Sequence, residues 1–377
     1  MKILILLFLS MLLSGCSSPQ EAASPPTAAE LNTTIAQPFD PVPRDALDAM
    51  IQTMTLEERV GQLFLARCDS ERALEDIRNY HLGGFVLFAV DFENKTPDTL
   101  FETIASYQFT AKYPMLIAVD EEGGAVTRIS RYKAFRDKPF PSPRLLYREG
   151  GLDAVLVCEK EKCILLRENG INVNLGPVCD MTTDPSAFMY QRSLGQDTQT
   201  TCAYISDVVR LMQNHRVGSV LKHFPGYGNN ADTHTGIAAD SRSLSELEEQ
   251  DLLPFASGIR AGCGGILVSH TIVECLDAAL PASLSPAVHE YLRTNLGFAG
   301  VIITDDLAMQ AITDLYGAGE AAVLAVLAGN DLLCSTEYVV QYQAVLAAVE
   351  SGRIRENILN SAVRNILEWK TELGLMD

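Results

Sequence analysis

Tryptophan occurs once in this 377-residue chain, histidine six times, and the 29 Lys and Arg are outnumbered by 48 Asp and Glu, a formal charge of -19. The shortage of basic residues excludes one class of function. Binding a phosphate backbone requires clustered Lys and Arg, and no such cluster occurs, so no nucleic-acid partner is expected. No Cys-x-x-Cys pair is present among the nine cysteines, so no zinc site is indicated. Their spacing is irregular, and Cys158, Cys163, Cys179, Cys202, Cys263 and Cys334 lie in apolar surroundings. This favours buried thiols over a disulfide framework, although an exported chain would allow one.

Long hydrophobic runs are also scarce, with one exception at the start. MKILILLFLSMLLSGC places one Lys before an apolar run that is too short and too abruptly ended for a good membrane span, and it reads as a secretory leader over residues 1–15. Leu13-Ser14-Gly15-Cys16 resembles a bacterial lipobox, which implies lipidation of Cys16 and anchoring to the membrane on its extracytoplasmic side. Residues 16–43 are rich in Ser, Pro, Ala and Thr without apolar periodicity, the composition of a flexible tether.

From there to residue 377, eight short apolar runs alternate with helical segments: 61–66, 83–90, 115–120, 171–178, 219–224, 264–270, 300–306 and 330–335. Several are apolar throughout, as expected of parallel strands buried on both faces. The pattern predicts an α/β fold, a single (β/α)8 TIM-like barrel, with a doubly wound open sheet as the alternative. Several runs end in polar groups: Asp120, Asp180, Lys222 with His223, His270, and Asp305 with Asp306. In a parallel barrel all strand C-termini open on one face, so these groups converge there.

The chemistry follows from residue type. VIIT delivers Asp305 to a strand end as a rigid, partly desolvated carboxylate, and Asp306, pointing to the other side, is expected to cap the helix that follows. KHFPGYGNNADTHT (222–235) holds two of the six histidines in a loop. Residues two apart in an extended loop share a side, so Asp232 is positioned to fix the tautomer of His234 and raise its basicity. An ammonium at Lys222 costs several kcal/mol to bury unpaired. With Asp120, Arg128 and Arg192 it offers the mixed donors and acceptors that a polyhydroxylated sugar requires.

KHFPGYGNNADTHTGIA, DEEGGAVTRI (120–129), INVNLGPVCD (171–180), MYQRSLGQD (189–197), LPASLSP (280–286) and VIITDDLAMQAI (301–312) resemble, in order, the motifs of glycoside hydrolase family 3. More narrowly the chain resembles that family's single-domain bacterial β-N-acetylglucosaminidases, from about residue 45 to the C-terminal RIRENILNSAVRNILEWKTELGL. The resemblance implies that Asp305 is the nucleophile of a covalent glycosyl-enzyme, that His234 with Asp232 is the acid/base, and that Asp120, Arg128, Arg192, Lys222 and His223 hold the sugar. It implies an exo-acting, retaining hydrolase of terminal β-linked N-acetylglucosamine. No cofactor or metal and a monomeric state are expected, and the exported location points to cell-wall fragments or other amino-sugar oligosaccharides as substrates.

Many members carry the acid/base on a second domain; here it is expected on the barrel. Tyr227 stands where a His is common, Asn229-Asn230-Ala231-Asp232 replaces a more usual acidic-Thr start, and Ala125 replaces a frequent basic residue. These departures are expected to alter loop packing and aglycone preference more than mechanism. The alternatives are a β-glucosidase or phosphorolytic variant of the family, a metal-dependent hydrolase using His223, Asp232, His234 and His270, and a sugar-binding lipoprotein without catalysis.

Overall fold

The computed structural model of the protein describes residues 42–228, 236 and 238–376. The leader, Cys16, nearly all of the 16–43 segment, and Asp232 and His234 therefore lie outside the described residues.

The eight apolar runs are eight parallel strands. They are β1 (Phe64–Arg67), β2 (Gly84–Leu87), β3 (Leu116–Val119), β4 (Val173–Asn174) and β5 (Gly218–Phe224), then β7 (Gly265–Val268), β9 (Val301–Thr304) and β10 (Leu333–Ser335). Every residue of β2, β3, β5, β7 and β9 is buried, because sheet neighbours, barrel interior and outer helices leave these strands no solvent face. The strand order β10-β1-β2-β3-β4-β5-β7-β9 is that of a barrel opened along one seam. That seam is bridged by Ile303 against Leu332, with Thr304 N–H donating to Leu332 O at 3.1 Å. The ring is thus closed, and the open-sheet alternative falls away.

Between the strands lie helices whose starts are written in the sequence. Thr55 with Glu58 and Ser243 with Glu246 form reciprocal caps, and the helix Leu252–Ala261 ends on Gly262 in the left-handed conformation. Two further strands, β6 (Ala239–Asp240) and β8 (Ile272–Val273), pair in parallel beside the mouth. At two residues each they leave no apolar run to read. The single Trp369 closes the opposite end of the barrel, and its ring lies so near Gly264 that any Cβ there would collide with it. Among the described residues no helix is long and apolar enough to cross a membrane.

The eight cysteines after Cys16 are all free thiols. Five of the six expected in apolar surroundings are buried, while Cys202 is only half-buried on the helix Thr198–Asn214.

Candidate active site

The strand C-termini enclose a pocket of about 570 Å³ into which Asp120, Arg128, Arg192, Lys222, His223 and Asp305 all face. Six of the residues singled out in the sequence, spread over 185 positions of chain, thus meet in one cavity, as strand-end placement requires.

Each is positioned by identifiable backbone. After β3 the chain runs through Asp120, Glu121 and Glu122, then reverses at Gly123 and Gly124, with φ of +100° and +65°. A Cβ at Gly123 would stand 2.3 Å from the Pro141 carbonyl oxygen, so the turn needs glycine. Glu121, fully buried, accepts the backbone N–H groups of Arg128 (2.7 Å) and Ile129 (2.9 Å) and the Ser130 hydroxyl. It fixes the return segment that carries Arg128. Asn174 of β4 holds Glu121 in turn, through both its amide oxygen (2.9 Å) and its amide nitrogen (3.1 Å).

The cations are organised around a carboxylate that sequence reasoning did not assign. Glu122, its side chain 3% exposed, accepts from Arg192 at 2.9 and 2.7 Å in a two-pronged contact and lies 2.6 Å from the Lys222 ammonium. Lys222 also donates to Asp120 at 2.6 Å, which leaves one of its three N–H bonds for a ligand. Burial alone would suppress ionisation of Glu122. The charges of Lys222 and Arg192 outweigh that effect and hold its carboxyl well below the usual carboxylate range. Burial likewise works against the Lys222 ammonium, yet Asp120 and Glu122 raise its pKa above the ordinary lysine value. The network stays ionised because each desolvated charge has an opposite partner.

Asp180, at the end of the run from residue 171, holds the other flank. Its carboxylate accepts from His223 Nδ1 at 2.7 Å, from the His223 backbone N–H at 3.1 Å and from the Tyr227 N–H at 2.7 Å. His223 Nε2, 3.1 Å from an Arg192 nitrogen that can only donate, is then the acceptor, and Nδ1 carries the proton. Tyr227 is buried with its ring edge-on to His223, the centroids 5.3 Å apart. The substitution noted in the loop motif therefore packs against a pocket residue. Asp180 already stood out as the polar end of its run, whereas Glu122 left only a faint trace: Lys222 and Arg192 need buried anions, and Glu122 stands two residues beyond Asp120 in the same motif.

Asp305 follows β9, its backbone N–H bonded to Val268 O at 3.0 Å, and its Oδ1 accepts the Asp306 N–H at 2.9 Å. The expectation that Asp306 caps the next helix is corrected. That helix, Gln310–Thr313, starts four residues on, behind Met309 and without a side-chain cap. Asp306 instead accepts from Ala308 N–H (3.0 Å) and from Thr336 N–H (3.2 Å) and hydroxyl, tying the segment after β9 to that after β10. His270 is turned away from the pocket, between Ser283 Oγ (2.7 Å) and Asp306 O (2.9 Å). Among the described residues no three His, Cys, Asp or Glu side chains are grouped to hold a metal ion.

Comparison with known proteins accords with this geometry. The model of the glycosyl hydrolase family 3 N-terminal domain matches residues 55–369. A beta-hexosaminidase of Nitrosomonas eutropha is 32% identical over 289 residues, covering 72% of this chain and 81% of its own. Beta-hexosaminidase LpqI of Mycobacterium tuberculosis is 31% identical over 369 residues, 94% of this chain and 91% of its own. Among solved structures, a family 3 beta-N-acetylglucosaminidase from Paenibacillus sp. str. FPU-7 superposes with a TM-score of 0.81 at 32% identity; the match covers 86% of this chain and 63% of that one. A parallel barrel with Asp305 facing an ion-paired Lys222 and Arg192, matched along most of its length by one family model, belongs to glycosyl hydrolase family 3.

Proposed function

We propose that the protein is an exo-acting, retaining β-N-acetylhexosaminidase that removes terminal β-linked N-acetylglucosamine. The observation that carries this reading is the pocket itself: a carboxylate, Asp305, shares it with a fixed set of charged donors and acceptors, beside apolar wall residues such as Phe88, Val126 and Met309. The names of the relatives, beta-hexosaminidase and beta-N-acetylglucosaminidase, supply the sugar.

In the proposed reaction an Asp305 oxygen attacks the anomeric carbon as the bond to the leaving oxygen breaks, and that oxygen takes a proton from His234. Water then gives its proton to His234 and displaces Asp305, restoring the enzyme with net retention. Asp232 orients His234; both lie outside the described residues. Asp120, Arg128, Arg192, Lys222 and His223 bind the sugar, and Glu122 and Asp180 hold these groups in place. The reaction as written involves no metal or cofactor. Export, lipidation at Cys16, a tether over 16–43 and action on cell-wall fragments complete the proposal, with the leader motif as their support, and a monomeric state is proposed with them.

Release of the aryl group from an aryl N-acetyl-β-glucosaminide and from the matching β-glucoside, each with and without chelator, tests this. The N-acetyl substrate is expected to be cleaved far faster, irrespective of chelator. Cleavage of neither substrate, or activity abolished by chelator, would refute the reading.

A further inference from the structure

The helix Pro143–Glu168, which precedes β4, buries Val155, Leu156, Cys158, Cys163 and Leu166, and among these apolar groups it also buries a charged pair, Glu159 and Lys162. Their side chains are 7% and 3% exposed, and the Lys162 ammonium donates to the Glu159 carboxylate one turn back. A buried ion pair is a poor way to hold a helix against a barrel. Two apolar residues of similar volume fill the same space without the loss of hydration.

The hydrogen bond that Lys162 makes beyond the pair gives it a different purpose. Its Nζ donates to the backbone oxygen of Glu122 at 3.1 Å, and among the described residues no backbone N–H reaches that oxygen. The Glu122 N–H, on the other side of the same Cα, donates to Val126 O at 3.1 Å. Both peptide groups that flank the Glu122 side chain are thus tied down just before the reversal at Gly123. Burial works against the Lys162 ammonium, but the Glu159 carboxylate, helped by the charge of Glu121, outweighs it and raises the pKa above the ordinary lysine value. The bond to the Glu122 carbonyl is therefore charge-assisted. A cavity of about 10 Å³ is lined by Glu159 and Lys162 together with Glu122 and Arg192, so the pair stands directly behind the carboxylate that organises the sugar-binding cations.

We propose that Lys162, braced by Glu159, is a positioning residue for sugar binding. It fixes the Glu122 backbone so that the Glu122 carboxylate stands between Arg192 and Lys222, and it acts on the sugar through those two donors without lining the pocket itself. This inference rests on the hexosaminidase reading above.

The test measures kcat, KM and melting temperature for Lys162→Met, for the apolar pair Glu159→Leu/Lys162→Met, for Glu122→Gln, and for the apolar pair placed in Glu122→Gln, all on the aryl N-acetyl-β-glucosaminide. Lys162→Met leaves Glu159 as a buried, unpaired charge and is expected to lower the melting temperature; the apolar pair is expected to restore most of it. Both are expected to raise KM about fivefold or more with kcat within about twofold of wild type, since the Glu122 carbonyl has lost its donor in each. In the Glu122→Gln background the apolar pair is expected to change KM by less than about twofold, because the carboxylate through which it acts is gone. An apolar pair whose KM returns to wild type along with its melting temperature, or KM increases of equal size in both Glu122 backgrounds, would make the ion pair merely structural and overturn the assignment while leaving the hexosaminidase reading intact. Failure of wild type to cleave the substrate would overturn that reading and the inference with it.

Discussion

Two buried lysines sit at opposite ends of the barrel. Lys222, at the mouth, has two carboxylates within 2.6 Å, and its ammonium is stabilised above the ordinary lysine value. Lys370, near the closed end beside Trp369, has one neutral partner, Gln62 Oε1 at 2.7 Å, and burial pushes its pKa down to about 7. The same side chain is thus held charged in one place and brought to the edge of losing its proton near pH 7 in the other. Where a ligand needs fixed charge, this chain surrounds the cation with anions drawn from other strands. At the end that packs rather than binds, it leaves the cation to lose its proton.

The two ends differ most in what mutation should do to them. At the mouth the largest effect is expected from Asp305→Asn, which should lower kcat by about 10³-fold or more while leaving the melting temperature close to wild type, measured on the aryl substrate and by calorimetry. Glu122→Gln should come next. Removing the carboxylate between Lys222 and Arg192 leaves Arg192 without its ion partner and Lys222 with Asp120 alone, and kcat/KM should fall about 10- to 100-fold, with KM rising. A Glu122→Gln/Lys222→Met double variant should lose far less than the sum of the two single losses. Asp180→Asn should cost about 10-fold in kcat/KM, because the His223 tautomer is then no longer fixed and the Tyr227 N–H loses an acceptor.

At the closed end the expected sign reverses. Lys370→Met should raise stability at pH 7 by about 1–2 kcal/mol, since an ill-paired buried cation gives way to a similar apolar volume. The advantage should depend on pH in a definite direction. The folded pKa, about 7, is below that of the unfolded chain, so between these values only the unfolded state binds the proton. Wild-type stability from this group is therefore lowest at and below about pH 7 and grows as pH rises toward 10. Urea titrations at pH 7 and pH 9.5 should show the gap between wild type and variant narrowing. A constant gap would mean that Lys370 stays charged in the folded protein.

Much of this architecture could be read from the chain because the determinants are local. The eight strands appear as apolar runs since burial on both faces admits no alternation, and Asp120, Lys222, His223 and Asp305 stand out because each interrupts such a run at its end. The same reasoning passed over Arg67, which ends β1 no less plainly and lines the pocket but lacks an obvious partner in sequence. What escaped is non-local. Glu122 is recognisable as the hub only when Arg192, 70 residues on, and Lys222, 100 residues on, are brought to it by barrel closure. Asp306 was misassigned for a related reason. A carboxylate ahead of a helix pattern suggests a cap, but Thr336, from a neighbouring strand end, competes for it and wins. The β6–β8 pair gave no periodicity because two residues cannot show one.

The central claim is that Asp305 is the nucleophile facing the ion-paired mouth. Its most direct test is to trap the enzyme with a 5-fluoro N-acetylglucosaminyl fluoride, which forms a covalent intermediate faster than water can clear it, and to map the modified peptide by mass spectrometry. One added glycosyl mass is expected on the peptide containing Asp305, absent in Asp305→Asn. An adduct on another carboxylate, or turnover with no adduct at all, would contradict it.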